Sequence, residues 1–161
     1  LPLLPYEKTI VVHAVLSFIG FLVLLPAGLL VARYLRAKYP SWVTMHWIAQ
    51  VVAAGFDIVC GLLAAYHAVD KSGSAHFDDA HKRWGALLVA LYVIQCVGGA
   101  LIYRLAPTGL TAGRLHTAFG LSIIGLAFFQ TRIGYTSEWT AATGLAQLPA
   151  VESVWWTLLI V

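Results

Sequence analysis

The sequence predicts an all-α integral membrane protein, with four transmembrane helices in a bundle and the start of a fifth. Of its 161 residues, 60% are hydrophobic and 11% are charged, whereas soluble domains are roughly 45–50% apolar and about 25% charged. The mean hydropathy is +0.82. Apolar runs long enough for a bilayer span, about 20 residues each, recur four times. These observations exclude an ordinary soluble domain, and they exclude a disordered chain, which needs low hydrophobicity and high charge.

The spans follow from the apolar runs taken in order. They are predicted at about 9–34, 42–68, 81–103 and 114–135, and a fifth begins near Val151. Helices are expected because lipid satisfies no backbone polar group, and because the runs are too long for barrel strands.

Both ends of the chain are predicted to be cuts in a longer protein, because the first residue is not Met and the last residues lie within an apolar run. We expect three parts: 1–8 as a linker from an upstream extracytoplasmic domain, 9–150 as the four-helix core with its loops, and 151–161 as the start of a truncated fifth helix.

The charged residues predict the orientation. The acidic loop residues all fall at the end of the bundle where the chain starts: Glu7, Asp70, Asp78, Asp79, Glu138 and Glu152. Five basic residues crowd the short turns at the other end: Arg33, Arg36, Lys38, Arg104 and Arg114. The positive-inside rule therefore favours that end as cytosolic and the N-terminus as extracytoplasmic, in a plasma or secretory-pathway membrane. Ten spread basic residues predict no nucleic-acid partner; membrane lipid is the expected surrounding.

One histidine lies near the start of each span: His13, His46, His81 and His116. Because successive spans alternate in direction, His13 and His81 fall at the outer level and His46 and His116 at the inner level. Polar residues at membrane depth usually mark function, and bundles build cofactor sites from side chains on facing helices. Two stacked pairs predict two bis-histidine haems, and the lack of a CxxCH motif makes them non-covalent haem b.

The residues one turn after these histidines share their helix face and are counted with the haem sites: Ser17, Gln50, Gly85 and Gly120. Three of the four are small, as a porphyrin lying against the helix requires. Tight helix packing is an equal explanation for the two glycines.

Four stretches, in order, carry a family resemblance: LPAGLLVARYLR, HWIAQ, AHKRWGALLVALYVIQC and RLHTAFGLSIIGLAFFQTRIGY. They resemble the cytochrome b561 family, and most closely the b561 core that follows a DOMON-type domain in fungal-like members. The resemblance covers about 9–139. It implies the pairs His13/His81 and His46/His116, and an extracytoplasmic N-terminus.

The expected function is one-electron transfer across the membrane. Electrons would pass from a cytosolic donor such as ascorbate to an extracytoplasmic acceptor, either ferric iron or a fused or partner redox domain; direct reduction of ferric iron would make the protein an oxidoreductase. A homodimer is a candidate assembly.

Two alternative functions stay open. One is a flavin-fed ferric reductase or oxidase, although no span carries two suitably spaced histidines. The other is a haem-free transporter or scaffold whose histidines relay protons.

Charged residues near the histidines are candidates for holding haem propionates, because arginine pairs well with carboxylates. They are Arg114 and Arg33 at the inner level, and Lys82 and Arg83 at the outer level. Arg33 or Lys38 could instead meet a cytosolic anion. The roles of Asp57, His67 and His76 stay open: Asp57 could take up a proton or be a structural carboxylate, and the two histidines are expected to be solvated.

Overall fold

Four long helices form the body of the computed structural model, which describes residues 2–105 and 110–160. The helices are α1 (Pro5–Leu35), α2 (Trp42–Ser72), α3 (Ala80–Leu105) and α4 (Leu110–Thr143), followed by the shorter α5 (Pro149–Ile160). All four long helices are apolar and long enough to cross a membrane. The all-α membrane fold is therefore confirmed. Within the predicted turn at 104–113, residues 106–109 lie outside the described part of the chain.

The helix ends follow local signals. Proline stands first in α1 and α5, where its missing N–H costs nothing. Asp79 caps α3, because its Oδ1 accepts from the Lys82 N–H at 2.8 Å. The helix that holds the fourth predicted span continues beyond 135, because α4 reaches Thr143 and stops at Gly144, whose φ is +67°. Residues 144–148 form the short link between α4 and α5.

Wider helical turns, in which hydrogen bonds skip one extra residue, interrupt three of the long helices. They occupy Phe18–Leu24 and Val31–Leu35 in α1, Ile48–Ala53 in α2 and Gly134–Glu138 in α4. Such turns are rare and often occur at functional sites. One follows directly after Ser17, one contains Gln50 and one starts at Gly134, so three of the four adjoin or contain a residue near a histidine.

The bundle consists of two antiparallel helix pairs, hairpin 1 (α1 and α2) and hairpin 2 (α3 and α4). Apolar side chains from all four helices pack at its centre: Phe21, Leu22, Leu25, Ala54, Ile58, Leu88, Tyr92, Ile123, Ala127 and Phe128. The Tyr92 hydroxyl donates to the Gln50 carbonyl at 2.6 Å and so links α3 to α2. Large apolar side chains such as Phe56 and Leu63, more than 60% exposed, cover the outside, as expected of helices that face lipid.

Candidate functional site

The four span histidines meet in two pairs. The ring centroids of His13 and His81 are 6.2 Å apart, and those of His46 and His116 are 6.5 Å apart. The ring planes cross at 77° and 79°. Each pair takes one histidine from hairpin 1 and one from hairpin 2. The site is therefore built across the interface between the hairpins.

Hairpin 1 fixes its histidine rings on glycine carbonyls. His13 Nδ1 donates to the Gly61 carbonyl at 2.9 Å, and His46 Nδ1 donates to the Gly28 carbonyl at 2.8 Å. With the proton held on Nδ1, the Nε2 lone pair is left free to bind a metal, which is the usual arrangement of metal-binding histidines.

The residues one turn further on fill the space over these glycines. A Cβ atom on Gly61 would lie 3.0 Å from Ser17 Oγ, and one on Gly28 would lie 2.6 Å from Gln50 Nε2. Ser17 Oγ is also 3.3 Å from His13 Nδ1, and Gln50 Nε2 donates to the Leu25 carbonyl at 3.0 Å. Ser17 and Gln50 therefore lock α1 against α2 beside the histidines.

Hairpin 2 fixes its histidines with glutamine side chains. Gln130 Nε2 donates to the His81 carbonyl at 2.6 Å and lies 2.9 Å from His81 Nδ1. Gln95 Nε2 donates to the His116 carbonyl at 2.8 Å and lies 3.4 Å from His116 Nε2. Each glutamine thus grips both the backbone and the ring of a histidine on the facing helix.

Glycines leave the space that the glutamine amides and the histidine rings of hairpin 2 occupy. A Cβ atom on Gly85 or Gly120 would lie 3.0 or 2.6 Å from the Nε2 of Gln130 or Gln95. The space expected for a macrocycle over these two glycines therefore holds a glutamine amide. On the facing helix, a Cβ atom on Gly134 or Gly99 would lie 2.5 or 2.8 Å from Cε1 of His81 or His116.

Gln95, Gln130, Gly28, Gly61, Gly99 and Gly134 are site residues that the sequence reasoning missed. Their signal is a constant offset. In hairpin 2, histidine, glycine, glutamine and glycine recur at 81, 85, 95 and 99 and again 35 residues later, at 116, 120, 130 and 134. In hairpin 1, the positions 13, 17 and 28 recur 33 residues later, at 46, 50 and 61.

A cavity of about 930 Å³ opens at the end of the bundle where the chain starts. His13 and His81 both line it, together with Ser17, Gly85 and Gln130. Its volume is near the upper end of the range for ligand and cofactor sites. The outer histidine pair thus faces a space large enough for a bulky cofactor.

Comparison with known proteins identifies the family to which this arrangement belongs. The profile of the family described as eukaryotic cytochrome b561 matches residues 12–141, which include most of each of the four helices and all four paired histidines. The chain belongs to the cytochrome b561 family. The resemblance carried by the sequence stretches is thereby confirmed.

Curated relatives within this family differ in their domain content. The chain is 29% identical over 134 residues to a probable ascorbate-specific transmembrane electron transporter 1 of Oryza sativa subsp. japonica, covering 80% of this chain and 57% of the relative. It is 27% identical over 146 residues to a cytochrome b561, DM13 and DOMON domain-containing protein of Arabidopsis thaliana, covering 89% and 15%. A cytochrome b561 and DOMON domain-containing protein of the same plant is 36% identical over 90 residues, covering 55% and 21%. The chain thus spans little more than half of the first relative and much less of the others. No solved structure matches the chain.

The residues of this b561 core fit haem. Metal–imidazole bonds of about 2.0–2.1 Å, with roughly 1.1 Å from each nitrogen to its ring centre, would separate the centroids of two imidazoles on opposite sides of one metal by roughly 6.2–6.4 Å. The observed separations of 6.2 and 6.5 Å are close to this range. Among the described residues, no group of three or more His, Cys, Asp or Glu side chains could hold a bare metal ion. A pair of imidazoles is instead the donor set of a metal whose other ligands come from a macrocycle.

At the outer level, the predicted propionate partners are engaged with protein groups. Lys82 Nζ is 2.6 Å from Asp78 Oδ1 and 3.0 Å from Asp79 Oδ2, at the cavity wall. Arg83 lies away from the cavity, beside Trp84 and Leu87, and its Nε donates to the Asp79 carbonyl at 3.2 Å.

Arg132 is a cavity-lining cation that the sequence reasoning left out of the site. It pairs with Glu152 of α5 at 2.5 Å and lies over the Trp155 ring at 4.8 Å.

At the inner level, Arg33 and Arg114 are exposed, and the Arg33 guanidinium lies 5.6 Å from the Tyr34 ring centre. Within residues 2–105 and 110–160, neither of them has a carboxylate within ion-pair distance. Among the described residues, the end of the bundle at Arg33 and Arg114 therefore carries positive charge without ion-pair partners, whereas the end where the chain starts carries several ion pairs.

The three residues whose roles were left open make no hydrogen bond to the paired rings within the described part of the chain, although His76 lines the cavity that His13 and His81 also line. His67 is exposed, as expected of a solvated residue. His76 is half-buried: its Nε2 is 2.9 Å from Asp70 Oδ1, and its ring stacks on Tyr66 with centroids 4.4 Å apart. Asp57 is also half-buried, on the α1-facing side of α2, and its Cβ is 3.3 Å from the position of a Cβ on Gly20.

Proposed function

We propose that this chain is the membrane-spanning core of a cytochrome b561 that carries single electrons across a membrane through two haem b groups. One observation carries the proposal: four helices each supply one histidine, and the rings meet in two pairs, 6.2 and 6.5 Å apart, each bridging the two hairpins. A proton relay needs no such repeated axial spacing.

The chain's own residues would bind, orient and insulate the cofactors. His13 and His81 would hold one haem at the outer level, and His46 and His116 would hold the other at the inner level. When bound, each haem would supply a one-electron Fe³⁺/Fe²⁺ couple. The glycine carbonyls and glutamine amides keep the rings in place. The apolar core between the levels, with Leu22, Ile58 and Leu88 each about 2% exposed, excludes water.

We infer an inward-facing donor site and an outward-facing acceptor site. The five inner basic residues lack ion-pair partners among the described residues, and they suit an anionic reductant such as ascorbate. The rice relative is named an ascorbate-specific electron transporter. The outer cavity would face ferric iron or a redox domain, and the Arabidopsis relatives are named for DOMON domains. The N-terminus would then be extracytoplasmic, in the plasma membrane or a secretory-pathway membrane.

A reduced-minus-oxidised spectrum of the protein, expressed with haem supplied and purified in detergent, tests the cofactor. We expect two haems per chain, one after His81→Ala, one after His116→Ala, and two after His67→Ala, the matched control on an exposed histidine. A wild-type protein without any b-type band would overturn the proposal and favour the haem-free relay. Full haem content in the two ligand variants would overturn the assignment of His81 and His116 as haem ligands.

Sealed vesicles test the direction. In a Ser74→Cys variant, a membrane-impermeant thiol reagent should label the loop between α2 and α3 only from the extracytoplasmic face, and ascorbate should reduce the haems faster from the opposite face. Labelling only from the cytosolic face would reverse the orientation. Faster reduction from the loop side would reverse the electron flow.

A further inference from the structure

The two histidine pairs have matching supports, apart from one position. At both levels a glycine carbonyl of hairpin 1 holds one histidine, and a glutamine amide and two glycines of hairpin 2 surround the other. The position one turn after the hairpin 1 histidine is the exception, because it holds Ser17 at the outer level and Gln50 at the inner level. Among these supports, the two levels therefore differ in residue type at one position.

Ser17 places a hydroxyl beside the histidine ring of its own level. Its Oγ is 3.3 Å from His13 Nδ1, the nitrogen that donates to the Gly61 carbonyl at 2.9 Å. One N–H can be shared between two acceptors in a three-centre hydrogen bond. Because a hydroxyl both donates and accepts, Oγ can share the ring proton with the carbonyl without opposing one obligate acceptor to another.

Gln50 gives the inner histidine no such contact. Its Nε2 donates to the Leu25 carbonyl at 3.0 Å, and its carboxamide lies over Gly28, where a Cβ atom would be 2.6 Å from Nε2. Within the described residues, the acceptor that His46 Nδ1 reaches is the Gly28 carbonyl, at 2.8 Å. The ring N–H of the hairpin 1 histidine therefore has one acceptor at the inner level and two at the outer level.

We propose that Ser17 is a positioning residue that lowers the reduction potential of the His13/His81 haem, by giving the Nδ1–H of His13 a second hydrogen-bond acceptor. An acceptor on that N–H raises the basicity of the ligating imidazole, and a more basic ligand favours Fe³⁺ over Fe²⁺. The lower potential suits the haem from which electrons leave for the proposed outer acceptor. The inference rests on the proposed function, because it concerns a haem ligand.

Redox titration followed by electron paramagnetic resonance tests this in the full-length, haem-loaded protein. His81→Ala and His116→Ala first assign the two signals to their levels. Ser17→Ala, which removes one oxygen atom, should keep both haems and raise the outer midpoint potential alone. The reduced-to-oxidised ratio of the outer haem at a fixed potential should rise about threefold, which is about 28 mV for one electron at about 59 mV per tenfold change.

The inner level allows the reverse experiment. Gln50→Ser and Gln50→Ala both remove the amide, but only the serine variant places a hydroxyl one turn after His46. The inner potential should therefore be lower in Gln50→Ser than in Gln50→Ala, with a reduced-to-oxidised ratio about threefold smaller. The outer potential should be equal in the two variants.

Ser122→Ala is the matched control, because this exposed hydroxyl donates to the Ala118 carbonyl at 3.0 Å; it should shift neither potential. An outer potential that does not move in Ser17→Ala, or that moves together with the inner one, would overturn the inference and leave the proposed function intact. If Ser17→Ala loses the outer haem, the two Gln50 variants decide: equal inner potentials overturn the inference, and a lower one in Gln50→Ser supports it. A wild-type protein without haem is a separate result that overturns the proposed function.

Discussion

Hairpin 1 anchors its histidine rings on main-chain carbonyls, whereas hairpin 2 anchors its histidines on glutamine side chains. The carbonyls of Gly28 and Gly61 cannot be removed by a side-chain substitution, so the hairpin 1 contacts can be disturbed only by filling the space around them. The hairpin 2 contacts can be changed one at a time. Each histidine pair combines one ring held by a main-chain carbonyl with one ring held by a glutamine side chain. At each level, therefore, only the second contact can be removed by a substitution.

The largest expected effect comes from the glycines that face rings in hairpin 2. In Gly134→Ala and Gly99→Ala the new methyl would meet Cε1 of His81 or His116 at 2.5 or 2.8 Å, and a ring cannot yield as a flexible chain end does. We expect each variant to lose one haem of two, measured by pyridine haemochrome analysis. Gly98→Ala and Gly125→Ala are the controls, because a Cβ there meets nothing within 4 Å. Equal loss in Gly98→Ala and Gly99→Ala would show that α3 tolerates no methyl at either position.

A smaller effect, on the free energy of unfolding, should distinguish the two glycines that face glutamine side chains, Gly28 and Gly85. In Gly28→Ala the methyl would meet three atoms of Gln50, at 2.6, 2.8 and 3.0 Å, whereas in Gly85→Ala only the amide end of Gln130 lies close, at 3.0 Å. Overpacking costs about 1–3 kcal/mol, and we expect Gly28→Ala near the top of this range and Gly85→Ala near its bottom. Thermal unfolding in one detergent measures both. The reverse order would mean that hairpin 1 yields more easily than hairpin 2.

A substitution in the interface between the hairpins should have a still smaller effect. Tyr92, 7% exposed, donates its hydroxyl to the Gln50 carbonyl at 2.6 Å, and this is the one hydrogen bond between hairpins among the described residues. Tyr92→Phe keeps the packing and removes the bond, so unfolding should become easier by about 0.5–1.5 kcal/mol. Tyr103→Phe, on an exposed tyrosine of the same helix, is the control. A spectral shift in Tyr92→Phe would contradict a purely structural role.

The smallest effect concerns the outer ion pairs of hairpin 2. The Lys82 ammonium, hydrogen-bonded to Asp78, lowers the pKa of that carboxyl from its ordinary 3.8. The folded state therefore gains stability from the ionised carboxylate above pH 3.8 and loses it as the pH falls through the lowered pKa. Asp78→Asn should melt slightly below wild type at pH 7. The difference should shrink as the pH falls below 3.8, vanish below the lowered pKa of Asp78, and shrink in high salt. A difference that does not change with pH would exclude this ion pair as its source.

Composition and patterning were sufficient for the fold. Apolar runs are read directly as spans, and the alternating direction of successive spans sorts His13, His46, His81 and His116 into two levels. The end of α4 was missed because polar residues such as Thr136 and Glu138 resemble a loop, although Gln147 and the ion-paired Arg132 tie this end together.

The supports of the histidines could not be predicted from a single helix. Glycine is common in transmembrane helices, so Gly99 or Gly134 gains meaning only when the register between two antiparallel helices is known. The expectation that a porphyrin lies against Gly85 and Gly120 was drawn from one helix face without its neighbour. The offsets of 33 and 35 residues contain the missing information on register, because a pattern repeated in two adjacent antiparallel helices predicts contacts related by a local two-fold axis.

Both histidine pairs lie across the seam between the hairpins, where the described chain supplies a single hydrogen bond and apolar packing. Any group that binds both rings of a pair therefore acts as a cross-link between two otherwise loosely joined halves. Ligand binding adds to stability in proportion to the logarithm of ligand concentration, so the resistance of this protein to unfolding and proteolysis should follow the haem supply of the cell that makes it. In cells short of haem, the two hairpins would separate more easily. The interface between them would then be the first part of the bundle exposed to quality-control proteases.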